Sequence, residues 1–463
     1  MKNNLYDTIA AVSTPHGEGG ISVIRVSGMK AFEIVSGIFS KSKTDFKPFI
    51  FEDVESHTIH FGYIFENGKI IDEVLASVFK NPNSYTGEDI IELSSHGGIF
   101  VTQKILKVIL SAGARHAEPG EFTKRAFLNR RIDLSQAEAV ADLIKAKTEE
   151  AHRSSVNQLE GSLSKYISKV RDELITTTAL VELELDFAEE DVEFAKKEEI
   201  KMRTVQIISD LKEIIASYIS GKVIREGVNV VIAGKPNSGK SSLFNSLLKS
   251  ERAIVSEISG TTRDYIEENL IIRGVLFNLT DTAGLRKTED IIETEGIKRS
   301  YGKIESADLI LFLIDSSQDE NTVKKDFDNY TRNFNSPKAI LIFSKADIAG
   351  HKKLSLTGEA IYTSINDATS VSNLKKEMVR IATLGTVPVS SGAIILTNLR
   401  HKICLERTVE ALKNVQKSID DKMSGEFLSV DLRNAMNALG EITGEITNDD
   451  ILHHIFAKFC IGK

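Results

Sequence analysis

The stretch GKPNSGKS, residues 234–241, has the spacing G-x-x-x-x-G-K-[ST]. The apolar run VVIA precedes it and SLFNSLLK follows, so a strand should deliver this loop and a helix should leave it. Gly234 and Gly239 let the backbone wrap closely, while successive amides and the helix start favour bound phosphate. Lys240 has the reach for β and γ phosphates, and the Ser241 hydroxyl suits Mg²⁺.

Companion motifs follow in the order expected of a GTPase. GTTRD (260–264) offers threonines for a switch loop. DTAG (281–284) supplies Asp281 to the Mg²⁺ shell and Gly284 to the γ-phosphate. SKAD (344–347) ends in Asp347, whose carboxylate accepts from both guanine N1 and N2, a donor pair that adenine lacks. Ser344 stands where NKxD has Asn, which predicts weaker guanine affinity with specificity kept. Ser364 in YTSIND is a further candidate for the base site, although Ile365 replaces the usual small residue.

A Ras-like enzyme carries a water-orienting Gln just after DxxG, and here that position is Leu285. Leucine cannot orient water. Either the chain is a slow switch, or charge and water are handled elsewhere. Asn237 has the chemistry to help ligate a monovalent cation, and Glu289, Asp290, Glu293 and Glu295 all qualify as water-orienting carboxylates.

The chain closes on FCIGK, and Cys460 is one of two cysteines. A prenylation box is a poor match because Gly462 and Lys463 occupy its aliphatic and terminal positions. Cys404, between Ile403 and Leu405, reads as a buried structural thiol, and a disulfide between the two is open on counting alone.

Elements must hold these groups in place. The chain has 463 residues, enough for several domains, with 41% hydrophobic and 27% charged residues and 7 Pro. Its apolar runs fall short of the roughly 18 residues of a membrane span, and its start lacks a secretory pattern, so a cytoplasmic protein without membrane association is expected. The formal net charge of −8 requires any nucleic acid to be met by a local patch, for which FTKRAFLNRR (122–131) is the candidate. TIAAVST and ISVIRVSG read as strands, and Asn67-Gly68 as a hairpin turn. Val156, Leu159, Leu163, Ile167, Val170 and Leu174 predict one helical stripe; Val205, Ile208, Leu211 and Ile215 continue it, and Leu396, Leu399 and Ile403 resume it near the end. Between them, VNVVIAG, LFNLTDT, LILFLID and AILIFSK predict a parallel sheet with helices on both faces. The fold class is therefore multidomain α/β plus all-α, with an α/β module inserted into a helical domain.

DTIAAVSTPHGEGGISVIRVSG, SYTGEDIIEL, EPGEFTKRAFLNRRIDLSQAEAVADLI, the nucleotide motifs, EITGEITNDDIL and FCIGK together resemble the bacterial and organellar tRNA modification GTPases of the MnmE (TrmE) family. The resemblance covers essentially the whole chain. It implies an N-terminal folate-binding and dimerisation domain (1–118), a discontinuous helical domain (119–221 and 382–463) and an inserted Ras-like GTPase domain (222–381). It further implies action as a homodimer with the FAD-dependent partner MnmG (GidA), adding an aminomethyl-type group at C5 of the wobble uridine of certain tRNAs. GTP, Mg²⁺, K⁺ and a tetrahydrofolate derivative (5-formyl or methylene) are the implied cofactors.

Carried onto this sequence, Arg25, Glu92, Arg131 and Lys463 align with folate contacts. Asn237, Ser256, Ile258 and Thr261 align with K⁺ ligands, Ser241 and Thr262 with Mg²⁺ ligands, Glu293 with the water-orienting residue and Cys460 with a catalytic position. The implied GTP contacts also include Ser238, Gly239, Lys240, Ser242, Glu257, Ser259, Gly260, Asp281, Thr282, Ala283, Gly284, Ser344, Lys345, Ala346, Asp347 and Ser364. Glu18 stands where many relatives carry Arg. Two rival readings fare worse. A ribosome-assembly type of GTPase switch would bring an RNA module that the flanks lack, and LHHIFAKFC lacks the paired spacing of a zinc site.

Overall fold

The computed structural model describes residues 7–186, 197–249, 267–281, 307–333, 338–348, 360–386, 393–447 and 449–463. They divide into two compact units, one of residues 1–141, 158–174 and 436–463, the other of residues 142–157 and 175–435.

The first unit is built on β1 (Ile9–Val12), β2 (Ile21–Ser27), β3 (Phe39–Ser40), β4 (Thr58–Glu66), β5 (Lys69–Phe79), β6 (Ile90–His96) and β7 (Arg115–His116). They form one sheet in the order β3-β4-β5-β6-β2-β1-β7. All neighbours are antiparallel except β1 and β7. Asn67 and Gly68 turn β4 into β5 at φ 51° and 77°, as the sequence predicts.

Alternation sorts the two sheet faces. Ile24 and Val26 of β2 join Val74, Ala76, Ile91 and Leu93 in a core closed by α1 (Ala31–Ser36) and α2 (Ile99–Ser111). On the opposite face Ile21 (68% exposed), Ile59 (66%), Phe61 and Leu75 remain open, with Arg25 and Glu92 paired between their strands. α3 (Glu121–Leu128) and α4 (Leu134–Lys145) follow. The C-terminal helix, Asp449–Phe456, closes a smaller core in which Leu452, Ile455, Phe456 and Phe459 meet Leu134, Ala137 and Phe127.

The single stripe expected over 156–174 is in fact two helices, α5 (Glu149–Leu159) and α6 (Ser162–Asp186). Gly161, at φ 81°, breaks them in a left-handed conformation that an L side chain avoids. In α7 (Lys197–Ala216) the buried stripe is Ile200, Thr204, Ile207, Ile208, Leu211 and Ile214, so Val205 faces solvent instead. α8 (Tyr218–Glu226) then leads into the second sheet.

That sheet contains β8 (Val228–Gly234), β9 (Glu267–Ile272), β10 (Val275–Asp281), β11 (Leu309–Asp315), β12 (Ala339–Ser344) and β13 (Ala360–Tyr362), in the order β13-β12-β11-β8-β10-β9. The four predicted strands are there and parallel. β9, which the sequence reading missed, pairs antiparallel with β10 through Arg273 and Gly274, both at positive φ. α9 (Lys240–Lys249) and α11 (Ala368–Ala382) cover one face, and α10 (Glu320–Asn333) the other. Every residue of LILFLID is therefore buried.

After the sheet come α12 (Leu399–Asp420), capped by the Asn398 side chain, and α13 (Gly425–Thr443). Leu396 precedes α12 rather than joining it, and Leu399 and Ile403 lie on its exposed side. Cys404 is buried on the same helix, as expected of a structural thiol, and both cysteines are free. Among the described residues, no helix is long and apolar enough to cross a membrane.

Candidate functional site

The described nucleotide motifs, GKPNSGKS, SKAD and YTSIND, lie at the carboxyl ends of the parallel strands β8, β12 and β13, with β8 between the neighbours β10 and β11. β8 ends at Gly234, where φ is 140° and an added Cβ would lie 2.5 Å from the Leu313 carbonyl, so only glycine fits. Asn237 and Gly239 also take positive φ, 63° and 92°, and curl the loop into the start of α9. Lys240 Nζ donates to the carbonyls of Gly234 (3.0 Å) and Lys235 (2.7 Å), which holds the ammonium over the loop. Ser241 and Ser242 are exposed on the first turn of α9, and Ser238 is buried beneath the loop.

Ser344 ends β12 and is buried. Its hydroxyl donates to the Ser238 carbonyl at 2.7 Å and approaches that of Ile314 at 3.2 Å. A hydroxyl thus ties the base loop to the phosphate loop from a position where an amide was expected. Lys345 Nζ adds a second tie, donating to the Asn237 carbonyl (3.0 Å) and pairing with Asp315 Oδ2 (2.6 Å). Burial pushes the Asp315 carboxyl up, but hydrogen bonds from Lys345 and Ser317 outweigh it and hold it below the ordinary value.

Asp347 is exposed and accepts from Asn366 Nδ2 at Oδ2, 3.0 Å. That bond, with a smaller contribution from the Ser364 side chain, keeps Asp347 ionised below its ordinary range. Ala346 N donates to the Thr363 carbonyl at 3.2 Å, joining the base loop to the Ser364 loop. Asp281 ends β10, but its side chain, together with Ser256, Glu257, Ile258, Ser259, Gly260, Thr261, Thr262, Thr282, Ala283, Gly284 and Glu293, lies outside the described residues. Sequence reading missed Asp315, which ends an otherwise apolar strand. It also missed Asn366, for which the only sequence signal was its place just before the helix-capping Asp367.

A second constellation forms in the other compact unit. Arg25 Nε donates to Glu92 Oε1 at 2.7 Å, across the β2–β6 pairing. The Arg25 guanidinium lies over the Tyr85 ring at 4.8 Å, and that of Arg131 lies 5.3 Å from the same ring while donating to the Tyr85 carbonyl. Arg25 Nη1 is buried without a hydrogen-bond partner. The cluster thus presents an unsatisfied donor, a carboxylate and an aromatic face, a set that fits a planar heterocycle carrying both acceptors and donors.

The C-terminal segment docks on the same unit through backbone. Ser13 Oγ donates to the Gly462 carbonyl (3.2 Å), and Gly120 N donates to the Cys460 carbonyl (3.3 Å). Gly462 sits at φ 94°, and a Cβ there would be 2.2 Å from the Val12 carbonyl. Gly120 is equally constrained, since its Cβ would be 2.7 Å from the Phe456 carbonyl. Val12 pairs with Ile24, next to Arg25 in β2, so the segment carrying Lys463 ends one strand away from the Arg25 cluster. Cys460 is exposed.

An ion-pair network fixes α3 beneath this segment. Arg125, 3% exposed at its side chain, bonds Asp7, Glu88 and Glu121, and Arg115 bonds Asp7 and Glu121 as well. For Glu121 burial raises the pKa, but the Arg115 hydrogen bond and the other partners more than reverse this.

Two family models match the chain, the GTP-binding protein TrmE N-terminus over residues 8–131 and the MnmE helical domain over residues 134–460. The tRNA modification GTPase MnmE of Acetivibrio thermocellus is 43% identical, covering 99% of this chain and 99% of its own. That of Alkaliphilus metalliredigens is 44% identical, covering 99% and 100%. Among solved structures, the G domain of the T. maritima FeoB iron transporter is 27% identical over 34% of this chain and 98% of its own, at a TM-score of 0.25, too low to weigh. On the full-length identity and both family models, the chain belongs to the MnmE family of tRNA modification GTPases.

Proposed function

We propose that this protein couples GTP hydrolysis to the addition of an aminomethyl-type (carboxymethylaminomethyl) group at C5 of the wobble uridine of certain tRNAs. It acts in the cytoplasm with the FAD-dependent partner MnmG, and a tetrahydrofolate derivative donates the carbon. The observation that carries this reading is the exposed Cys460, held by Gly120 in the same compact unit as the Arg25 cluster. When bound, the folate supplies the one-carbon unit. Arg25 meets its acceptor atoms, Glu92 its donors and Tyr85 its ring, with Arg131 and Lys463 taking its charged portion. Cys460 is the nucleophile that the proposal places beside it.

In the GTPase module (222–381), inserted between the two parts of a helical domain (119–221 and 382–463) that follows the folate-binding domain (1–118), Lys240 neutralises β and γ phosphate charge. Ser241 and Thr262 hold Mg²⁺, and Asp281 completes its shell. Asn237, with Ser256, Ile258 and Thr261, holds K⁺ in place of an arginine finger, and Glu293 orients the water. These modules pair across a homodimer when GTP and K⁺ are present. The open apolar sheet face bearing Ile21, Ile59, Phe61 and Leu75 favours dimerisation through the N-terminal domain.

The test is mass spectrometry of wobble nucleosides from cells lacking the protein, complemented with wild type, Lys240→Ala or Cys460→Ser. Restoration by wild type alone is expected. A nucleoside profile that never changes would overturn the modification reading.

A further inference from the structure

We propose that Asn366 is a positioning residue for guanine recognition, its side-chain amide fixing the Asp347 carboxylate in the plane that accepts from guanine N1 and N2. The proposal rests on the GTP reading above and adds a residue to its base site.

The loop that carries Asn366 is built without it. Asp367 caps α11, accepting from Thr369 N (2.9 Å) and Ser370 N (3.2 Å). Ser370 Oγ accepts from Ser364 N and donates to the Ser364 carbonyl, both at 3.1 Å, while Asp367 N donates to that same carbonyl at 3.1 Å. Asn366 N donates to Ser364 Oγ at 3.1 Å. The backbone is thus fixed on both sides of Asn366, whose exposed side chain adds nothing to the core.

What that side chain does is hold Asp347. A carboxylate's terminal torsion is broad, and an exposed aspartate samples many planes. Each carboxylate oxygen accepts through two lone-pair sites. Donation from Asn366 Nδ2 to Oδ2 (3.0 Å) uses one of them and restrains the plane. The Ser364 side chain makes a weaker contact with the same carboxylate, and the acceptor sites that these two leave serve two parallel N–H donors. Guanine presents that pair, hypoxanthine presents N1–H alone, and adenine presents neither.

The experiment uses the full-length protein loaded with a fluorescent GDP analogue, displaced by GDP, IDP or ADP. The variants are Asn366→Ala and Asn366→Asp. Wild type should prefer GDP to IDP, and Asn366→Ala should shrink that preference at least threefold, mainly by weakening GDP. Asn366→Asp, which sets a like charge against Asp347, should lose more. The GDP-to-IDP ratio does not depend on the folded fraction, so partial unfolding of a variant cannot mimic the effect. An unchanged ratio, including equal weakening of both nucleotides, would overturn the positioning role and leave the GTP reading intact. Wild type that binds ADP as tightly as GDP would instead overturn the guanine reading itself.

Discussion

The nucleotide site and the Cys460 site are assembled in opposite ways. Three described segments of the nucleotide site, the phosphate loop, the Asp347 loop and the Ser364 loop, follow strand ends of one sheet, and each is a short contiguous motif whose chemistry is local. The Cys460 site draws on Ser13, Arg25, Tyr85, Glu92, Gly120 and Arg131 as well as the last four residues, and the contacts that dock its tail join positions hundreds of residues apart. Candidate sites can therefore be encoded either as words or as a fold. The second kind depends on every contact that docks the segments, which makes it sensitive to substitutions far from the chemistry.

The largest expected effect breaks the second site alone. Arg125→Ala removes the buried cation shared by Asp7, Glu88 and Glu121, of which Asp7 and Glu121 keep only the more exposed Arg115, and should cost about 3–5 kcal/mol. Calorimetry should show the loss, and GDP affinity measured below the transition should be unchanged. Affinity that falls with stability would mean the two sites are not independent.

Lys240→Ala is the converse. It should slow GTP hydrolysis by roughly 10²–10³-fold while leaving the melting temperature within a few degrees, since the Nζ bonds described above are to carbonyls of its own loop and not to the core.

Gly462→Ala adds a Cβ 2.2 Å from the Val12 carbonyl at a left-handed φ, an overpacking of about 1–3 kcal/mol confined to the docked tail. Modification activity should fall about tenfold with GTP hydrolysis unaltered. If activity survives, the docked position of Cys460 is not needed for the reaction.

Ser344→Ala removes one buried hydrogen bond to the Ser238 carbonyl, worth about 1 kcal/mol, and should weaken GDP about fivefold in equilibrium titration. The smallest effect is on pH. Glu121 has a folded pKa below its unfolded value of 4.5, so its contribution is complete above that value and lost as pH falls through the folded pKa. Melting of the wild type should therefore drop more steeply below about pH 4 than melting of Glu121→Gln.

Much of the fold was legible because periodicity reports burial directly. Alternation marked β2, the unbroken apolar LILFLID marked a strand covered on both faces, and Asn67-Gly68 marked the β4–β5 hairpin. Helical phase was less legible. Thr204 replaces Val205 on the buried face of α7 because packing partners, not hydropathy, select the face. β9 escaped notice because EENLII pairs as an edge strand and lacks the apolar run that marked its neighbours.

By itself the sequence determined the phosphate-loop motif, the candidate base-site Asp347 and the switch in texture that brackets the nucleotide module. These depend on spacing within a few residues, which local backbone geometry converts directly into position. Only the tertiary structure decided that Ser344 reaches the Ser238 carbonyl, that Asn366 holds Asp347, and that FCIGK packs on Val12 and Gly120. Those contacts join residues from 19 positions apart, for Asp347 and Asn366, to several hundred apart. Nothing in a linear pattern records which of many polar groups will meet once the core has closed.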